Sequence, residues 1–163
     1  MPFALAGEET AKVMGIDKDI RKATFRNGYN KAMVNILFTN NWMLERIKTF
    51  VKTADITPQQ YNILRILRGA DQPLSTLQIR EKMLDKMSDT SRIVERLVAK
   101  GLVQKSVSGK DKRLVDVTIT SQGQHVLNNL DDRNYELDGI LQSLTEEEAE
   151  QLSNLLDKLR NHQ

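Results

Sequence analysis

Apolar positions recur with helical spacing over most of this chain and switch to strand spacing in one short stretch. Over residues 88–100, Thr90, Ile93, Val94, Leu97 and Val98 fall at i, i+3, i+4, i+7 and i+8 and make one apolar stripe. Ser88, Ser91, Arg92, Glu95, Arg96 and Ala99 take the opposite face. Gly101 follows at once, and glycine accepts the left-handed turn that ends a helix. The period then becomes two. Val103, Lys105 and Val107 share one strand face, as do Val115, Val117 and Ile119. Between these runs Ser108, Gly109, Lys110, Asp111 and Lys112 form a loop of hairpin length.

Two helix starts precede this stretch. Thr57 is an N-cap, Pro58 sits at N1, and Gln60 at N3 can close a capping box, with Ile56 and Tyr61 as a hydrophobic staple. That helix continues through Ile63, Leu64, Ile66 and Leu67 to Gly69. Ser75 and Gln78 repeat the grammar, stapled by Leu74 and Ile79, and this second short helix is expected to end near Leu84. Helix, turn, helix and hairpin in that order predict a winged helix-turn-helix.

The flanks are helical. A helix over about residues 29–52 carries Met33, Leu37, Leu44, Ile47 and Val51 on one stripe, interrupted by Asn40, and Val34, Phe38 and Trp42 on another. A helix apolar on two sides must be covered on two sides, either within the chain or by a second copy of it. After the hairpin, Leu127, Leu130, Leu137, Leu141 and Leu144 predict another long helix, with Asn134 as one polar turn of the kind that fixes register in paired helices. Thr145 and Glu148 make a further capping box, and Leu152, Leu155, Leu156 and Leu159 stripe the last helix. Residues 1–15 show no clear period. Residues 15–25 can hold a short helix anchored by Ile16 and Ile20 and capped by Asp17. The expected organisation is an N-terminal extension over 1–28, a dimerisation helix over 29–56, the winged helix-turn-helix over 57–120 and C-terminal dimerisation helices over 121–163. The fold class is mainly α with a small β-hairpin wing.

Charge gives this layout a direction. The whole chain is only +2, yet residues 80–113 hold ten Lys/Arg against five Asp/Glu, and residues 131–163 hold three against nine. Positive charge gathered on one helix and one hairpin tip suits a polyanion more than a merely solvated face. There is no cysteine, which excludes disulfides and thiolate chemistry. No apolar run approaches the roughly 20 residues that span a bilayer. Glu8 and Glu9 stand where a secretory signal would be basic and then apolar, so a cytoplasmic protein is expected.

Catalytic chemistry finds little support. His125 and His162 match no metal-ligand spacing, no glycine-rich phosphate loop occurs, and Glu146, Glu147 and Glu148 are accounted for as first-turn acids. No catalytic residue, metal or cofactor is expected. Arg92 and Arg96 lie one turn apart. They either pair with Asp89 and Glu95 on an exposed helix or meet phosphates and guanine edges, with Ser88 and Ser91 letting the helix approach closely.

The central stretch resembles the MarR family of bacterial winged-helix regulators. The resemblance rests on TPQQYNILRIL, on SRIVERLVAKGLV, and above all on DKRLVDVTITSQG, where Asp111, Arg113, Thr120 and Gly123 fill the places of the family's wing signature. Two features depart from the pattern. Arg80 stands where such units often carry a small residue, and the turn of Leu84, Asp85, Lys86 and Met87 has no glycine. With the flanking helices, the resemblance covers about residue 30 to the C-terminus. It implies a homodimer joined through terminal helices and bound to palindromic double-stranded DNA. The expected function is transcriptional repression released by a small-molecule effector, whose binding residues the resemblance does not assign. The expected DNA-binding residues are Ser88, Asp89, Ser91, Arg92, Arg96, Lys110, Asp111, Lys112 and Arg113. Those expected at the dimer interface are Leu37, Leu44, Leu137, Leu141, Leu144, Leu152, Leu155 and Leu156. The alternative is a winged-helix protein–protein module that does not bind DNA, marked by loss of charge from the wing and second helix.

Overall fold

A computed structural model describes residues 15–16, 24–107 and 115–161. Helix α1 spans Gly28–Lys52, α2 Pro58–Arg68, α3 Thr76–Lys82 and α4 Thr90–Ala99. Strand β1 is Leu74–Ser75, β2 is Val103–Val107 and β3 is Val115–Ile119. Helix α5 follows at Ser121–Asp131, α6 at Asn134–Asp138, a 3-10 turn at Gly139–Leu141 and α7 at Glu146–Arg160. The chain divides into two compact units, Met1–Trp42 and Met43–Gln163. In the first unit, Asn27 accepts the backbone N–H of Asn30 at 2.9 Å and Lys31 lies 5.7 Å from the centre of the Phe25 ring. Of the predicted helix over 15–25, residues 17–23 lie outside the described residues.

The second unit holds the core and the sheet. β3 lies in the middle, paired antiparallel with β1 through Leu74↔Val117 and with β2 from Val103↔Ile119 to Val107↔Val115. The fold is therefore mostly helical with a small antiparallel sheet, as the periodicity predicts. Both predicted capping boxes close here. Thr57 and Gln60 exchange backbone–side-chain hydrogen bonds, as do Ser75 and Gln78, so the first orphan donors of α2 and α3 are satisfied. The staple residues Ile56, Leu74 and Ile79 are buried in the core with Ile63, Leu64, Leu67, Val94 and Leu97, and Tyr61 packs against it. The third box, Thr145 with Glu148, starts α7.

The end of α4 fixes the wing. The Leu102 N–H donates to the Leu97 carbonyl at 3.0 Å and the Gly101 N–H to that of Val98 at 2.9 Å, with Gly101 at φ +70°. This double bond over a left-handed residue is a Schellman motif. Thr120 then ties the end of β3 back to the same point. Its N–H donates to the Leu102 carbonyl and its hydroxyl to the Gly101 carbonyl, at 3.1 and 2.7 Å. The same hydroxyl accepts the N–H of Gly123 and so caps α5. A β-carbon on Gly123 would lie 2.3 Å from the Leu102 carbonyl oxygen and 2.7 Å from Ile119 Cγ1. Thr120 and Gly123 thus have a packing role apart from any resemblance.

Two predicted extents change. The second short helix stops at Lys82, because Met83 turns extended and buries its side chain. The long helix predicted after the wing is broken behind Asp131. The break coincides with tertiary ion pairs that tie the end of α5 to α2. Asp131 receives Arg65 at 2.8 Å and Arg68 at 2.6 Å, and Asn134 at 3.4 Å. The hydrogen bond from Arg68 holds the Asp131 carboxyl below the usual carboxylate range against the opposing effect of partial burial. Arg133, at the break, bonds Glu136 and the Thr53 hydroxyl and lies 5.4 Å from the centre of the Phe50 ring. Asn134 therefore turns to Asp131 of its own chain.

Gly123→Ala is expected to destabilise the protein by about 1–3 kcal/mol or more through overpacking against rigid backbone. Urea denaturation measures this. An alanine variant as stable as the parent contradicts the close approach of α5 to Leu102.

Candidate nucleic-acid interface

Helix α4 presents two faces. Thr90, Val94 and Leu97 are buried, and the Thr90 hydroxyl donates to the Met83 sulfur at 3.3 Å. Ser91, Arg92, Glu95, Arg96 and Ala99 are exposed. Asp89 is the N-cap and accepts the Arg92 backbone N–H at 3.1 Å. Its carboxylate thus has a structural task before any contact with a ligand.

The glycine-free turn between α3 and α4 is built by an aspartate. Asp85 accepts the Met87 N–H at 3.0 Å on one carboxylate oxygen and the Ser88 hydroxyl at 2.6 Å on the other. An aspartate folded onto its own backbone in this way makes the turn without glycine. The Leu84 N–H donates to Asn62 Oδ1 at 3.0 Å, which fastens the turn to α2. Ser88 is thereby half-buried and already bonded. The hydrogen bond from its hydroxyl, then that of the Met87 N–H, lowers the Asp85 pKa. An open groove beside the turn is lined by Thr76, Leu77, Arg80, Met87, Ser88, Asp89, Thr90 and Ser91. Arg80 stands exposed at its edge, and Met87 is 93% exposed.

Acids and bases are sorted across the surface. Glu95 pairs with Lys105 on β2, and Asp55 with Lys100 at the end of α4. Asp55 takes φ +52°, a left-handed conformation that aspartate tolerates better than most residues. Lys100 also bonds its carbonyl, and the hydrogen bond from Lys100 lowers the Asp55 pKa. The guanidinium groups of Arg92 and Arg96 have no ion-pair or hydrogen-bond partner among the described residues. The structure thus brings Ser88, Asp89, Ser91, Arg92 and Arg96 onto one helix and its entry turn. Lys110, Asp111, Lys112 and Arg113 lie outside the described residues, while the strands that carry them there are in register. Sequence reasoning missed Asp85 and Asn62 as makers of the turn, and Lys105 as the partner of Glu95. The Asp-x-x-Ser spacing of Asp85 and Ser88 is the signal that could have found the first.

The residues expected at a dimer interface divide. Leu37, Leu44, Leu141, Leu152 and Leu155 are exposed, Leu37 at 58% and Leu155 at 64%. Leu144 and Leu156 are half-buried, and Leu137 packs against the core of its own unit. Among the described residues no group of three or more His, Cys, Asp or Glu could hold a metal ion, and no helix is long and apolar enough to cross a membrane.

Helix, turn, exposed second helix and antiparallel wing define a winged helix-turn-helix protein. Residues 54–114, the winged-helix segment, match the model of the MarR family. The chain is 37% identical over 70 residues to the HTH-type transcriptional regulator BilQ of Clostridium symbiosum, a match covering 42% of this chain and 49% of that protein. The chain thus spans about half the length of the curated relative it matches. A MarR/EmrR family transcriptional regulator from Acinetobacter sp. ADP1 is similar in structure at TM-score 0.65 and 29% identity, over 82% of this chain and 93% of that one. A mutant MarR from E. coli complexed with operator DNA has the same fold at TM-score 0.73 and 22% identity, over 82% and 98%.

The turn gives a pH dependence. Asp85 has a lowered folded pKa, so its carboxylate stabilises the turn above the ordinary carboxylate pKa, and this is lost as pH falls through the lowered value. The Met87 amide, corrected for intrinsic exchange, is expected to keep its protection from neutrality down to the ordinary carboxylate range and to lose it below. Asp85→Ala is expected to lack that protection throughout. Hydrogen exchange by NMR checks both, and protection independent of pH contradicts the turn assignment.

Proposed function

We propose that this chain is a sequence-specific DNA-binding transcriptional regulator, not an enzyme, acting as a homodimer on palindromic double-stranded DNA. One observation carries the reading. The exposed face of α4 offers Arg92 and Arg96 unpaired, while the neighbouring acids are engaged elsewhere. An arginine free of protein partners on a helix narrow enough for a major groove can bond guanine edges or phosphates. The match to MarR-family and HTH-type regulators supports the same reading.

In this proposal Ser88, Ser91, Arg92 and Arg96 face the major groove. Lys110, Lys112 and Arg113 carry the wing to the flanking backbone, and Arg113, oriented by Asp111, enters the narrow minor groove. The exposed leucines of α1 and α7 meet a second copy, because apolar faces of this extent are costly to leave in water. Repression, and release by a small molecule that changes the spacing of the two reading helices, follow from the family resemblance alone. Nothing in the described surface favours the protein–protein module, whose mark would be an uncharged second helix.

The test is binding to a selected operator across a salt series. Log affinity is expected to fall with log salt at a slope of about −0.9 per phosphate contact. Arg92→Ala is expected to cost on the order of 1–3 kcal/mol and to relax choice at one position in each half-site. Arg113→Ala is expected to weaken most sites alike. A nearly flat salt response favours the protein–protein module instead.

A further inference from the structure

Glu95 is the one acidic residue within the recognition helix α4. Its position invites a defect. At three residues from Arg92 it is an ordinary intrahelical partner for that guanidinium, and Asp89 stands equally far on the other side. An Arg92 held by either carboxylate would have to break an ion pair before reaching a base. Neither carboxylate holds it. Asp89 is taken by the helix N-terminus, where it accepts the Arg92 backbone N–H at 3.1 Å. Glu95 is taken by Lys105, which reaches across from β2, ten residues on in sequence. The Lys105 side chain is 31% exposed and that of Glu95 63%, so the lysine lies down on the helix rather than standing out from the wing strand.

We propose that Lys105 is a positioning residue of the reading surface: by holding Glu95 it keeps the Arg92 guanidinium free to meet a base edge. The proposal rests on the DNA-reading function above. It separates Lys105 from wing cations such as Lys110 and Lys112, which would act on phosphate directly. Its consequence is that Lys105 governs which base is chosen more than how tightly DNA in general is held.

The test compares the wild type with Arg92→Ala, Lys105→Met, and the double variant Glu95→Gln, Lys105→Met. Each is measured by fluorescence anisotropy, at one salt concentration, against the selected operator and a panel of single-base variants. The double variant keeps the wild-type net charge, so long-range attraction is matched. Methionine keeps the apolar stem of Lys105, so the strand packing is retained. Arg92→Ala is expected to lose discrimination at one base pair per half-site, on the order of tenfold. Lys105→Met is expected to lose discrimination at that same base pair, and the double variant to regain it, because the competing carboxylate is gone. Lys105→Met that weakens every site equally makes Lys105 a phosphate contact and overturns the proposal. A double variant that stays defective overturns it too. A second arm needs no DNA. A crystal structure of Lys105→Met is expected to show the Glu95 carboxylate bonded to the Arg92 guanidinium, and Glu95 still turned to β2 overturns the proposal. Wild-type protein without base preference refutes the DNA-reading function itself, a result visible before any variant is made.

Discussion

The stop of α4 at Gly101 is the constraint on which the rest of this winged unit depends. The chain there must turn left-handed so that Leu102 can bond back to Leu97 and then enter β2. With that turn made, Thr120 closes on both the Leu102 and the Gly101 carbonyls. One threonine thus joins the end of α4, the end of β3 and the start of α5. Gly123 permits the approach, because a side chain there would enter the space of the Leu102 carbonyl. A residue other than glycine at 101 would strain the stop, and the wing and α5 would lose their common anchor. The angle at which α4 meets a ligand and the direction in which the wing leaves it are therefore set at one point.

The second principle is the engagement of acids. Asp85 makes the turn, Asp89 caps α4, Glu95 takes Lys105, Asp55 takes Lys100 and Asp131 takes Arg65 and Arg68. Each of these carboxylates has a structural partner. Exposed pairs of this kind add little stability, about 0–1 kcal/mol each. Their larger effect is on what they leave behind. With these acids occupied, Arg92 and Arg96 remain the unpaired cations of α4, and both are exposed. A surface assembled this way is suited to a polyanion through the arrangement of its charge, since the whole chain is nearly neutral.

Much of this was legible in the sequence because the signals are local. Thr57 with Gln60, Ser75 with Gln78 and Thr145 with Glu148 are read off their spacing, and all three boxes close. The apolar stripe of α4 and the glycine after it are local in the same sense. What was not legible depends on contacts distant in sequence. The leucine spacing after the wing runs on as one helix, whereas the helix stops at Asp131, whose carboxylate is held by arginines of α2 some 60 residues earlier in the chain. Leu137 reads as part of an exposed stripe but packs on its own core. The pairing of Glu95 with Lys105 needs the strand to fold back beside the helix, which no helical period encodes. The turn of Asp85 departs from the glycine expected of such turns, since an aspartate side chain can do the same work.

In the proposed function, two copies of this chain present α4 to successive turns of one DNA duplex. Selecting bound sequences from a random DNA pool tests this most directly. The expected result is a two-fold symmetric motif whose half-sites lie about one helical turn apart, roughly 34–36 Å between centres. An enriched motif without two-fold symmetry contradicts the paired reader, and a pool that yields no motif contradicts sequence-specific DNA binding altogether.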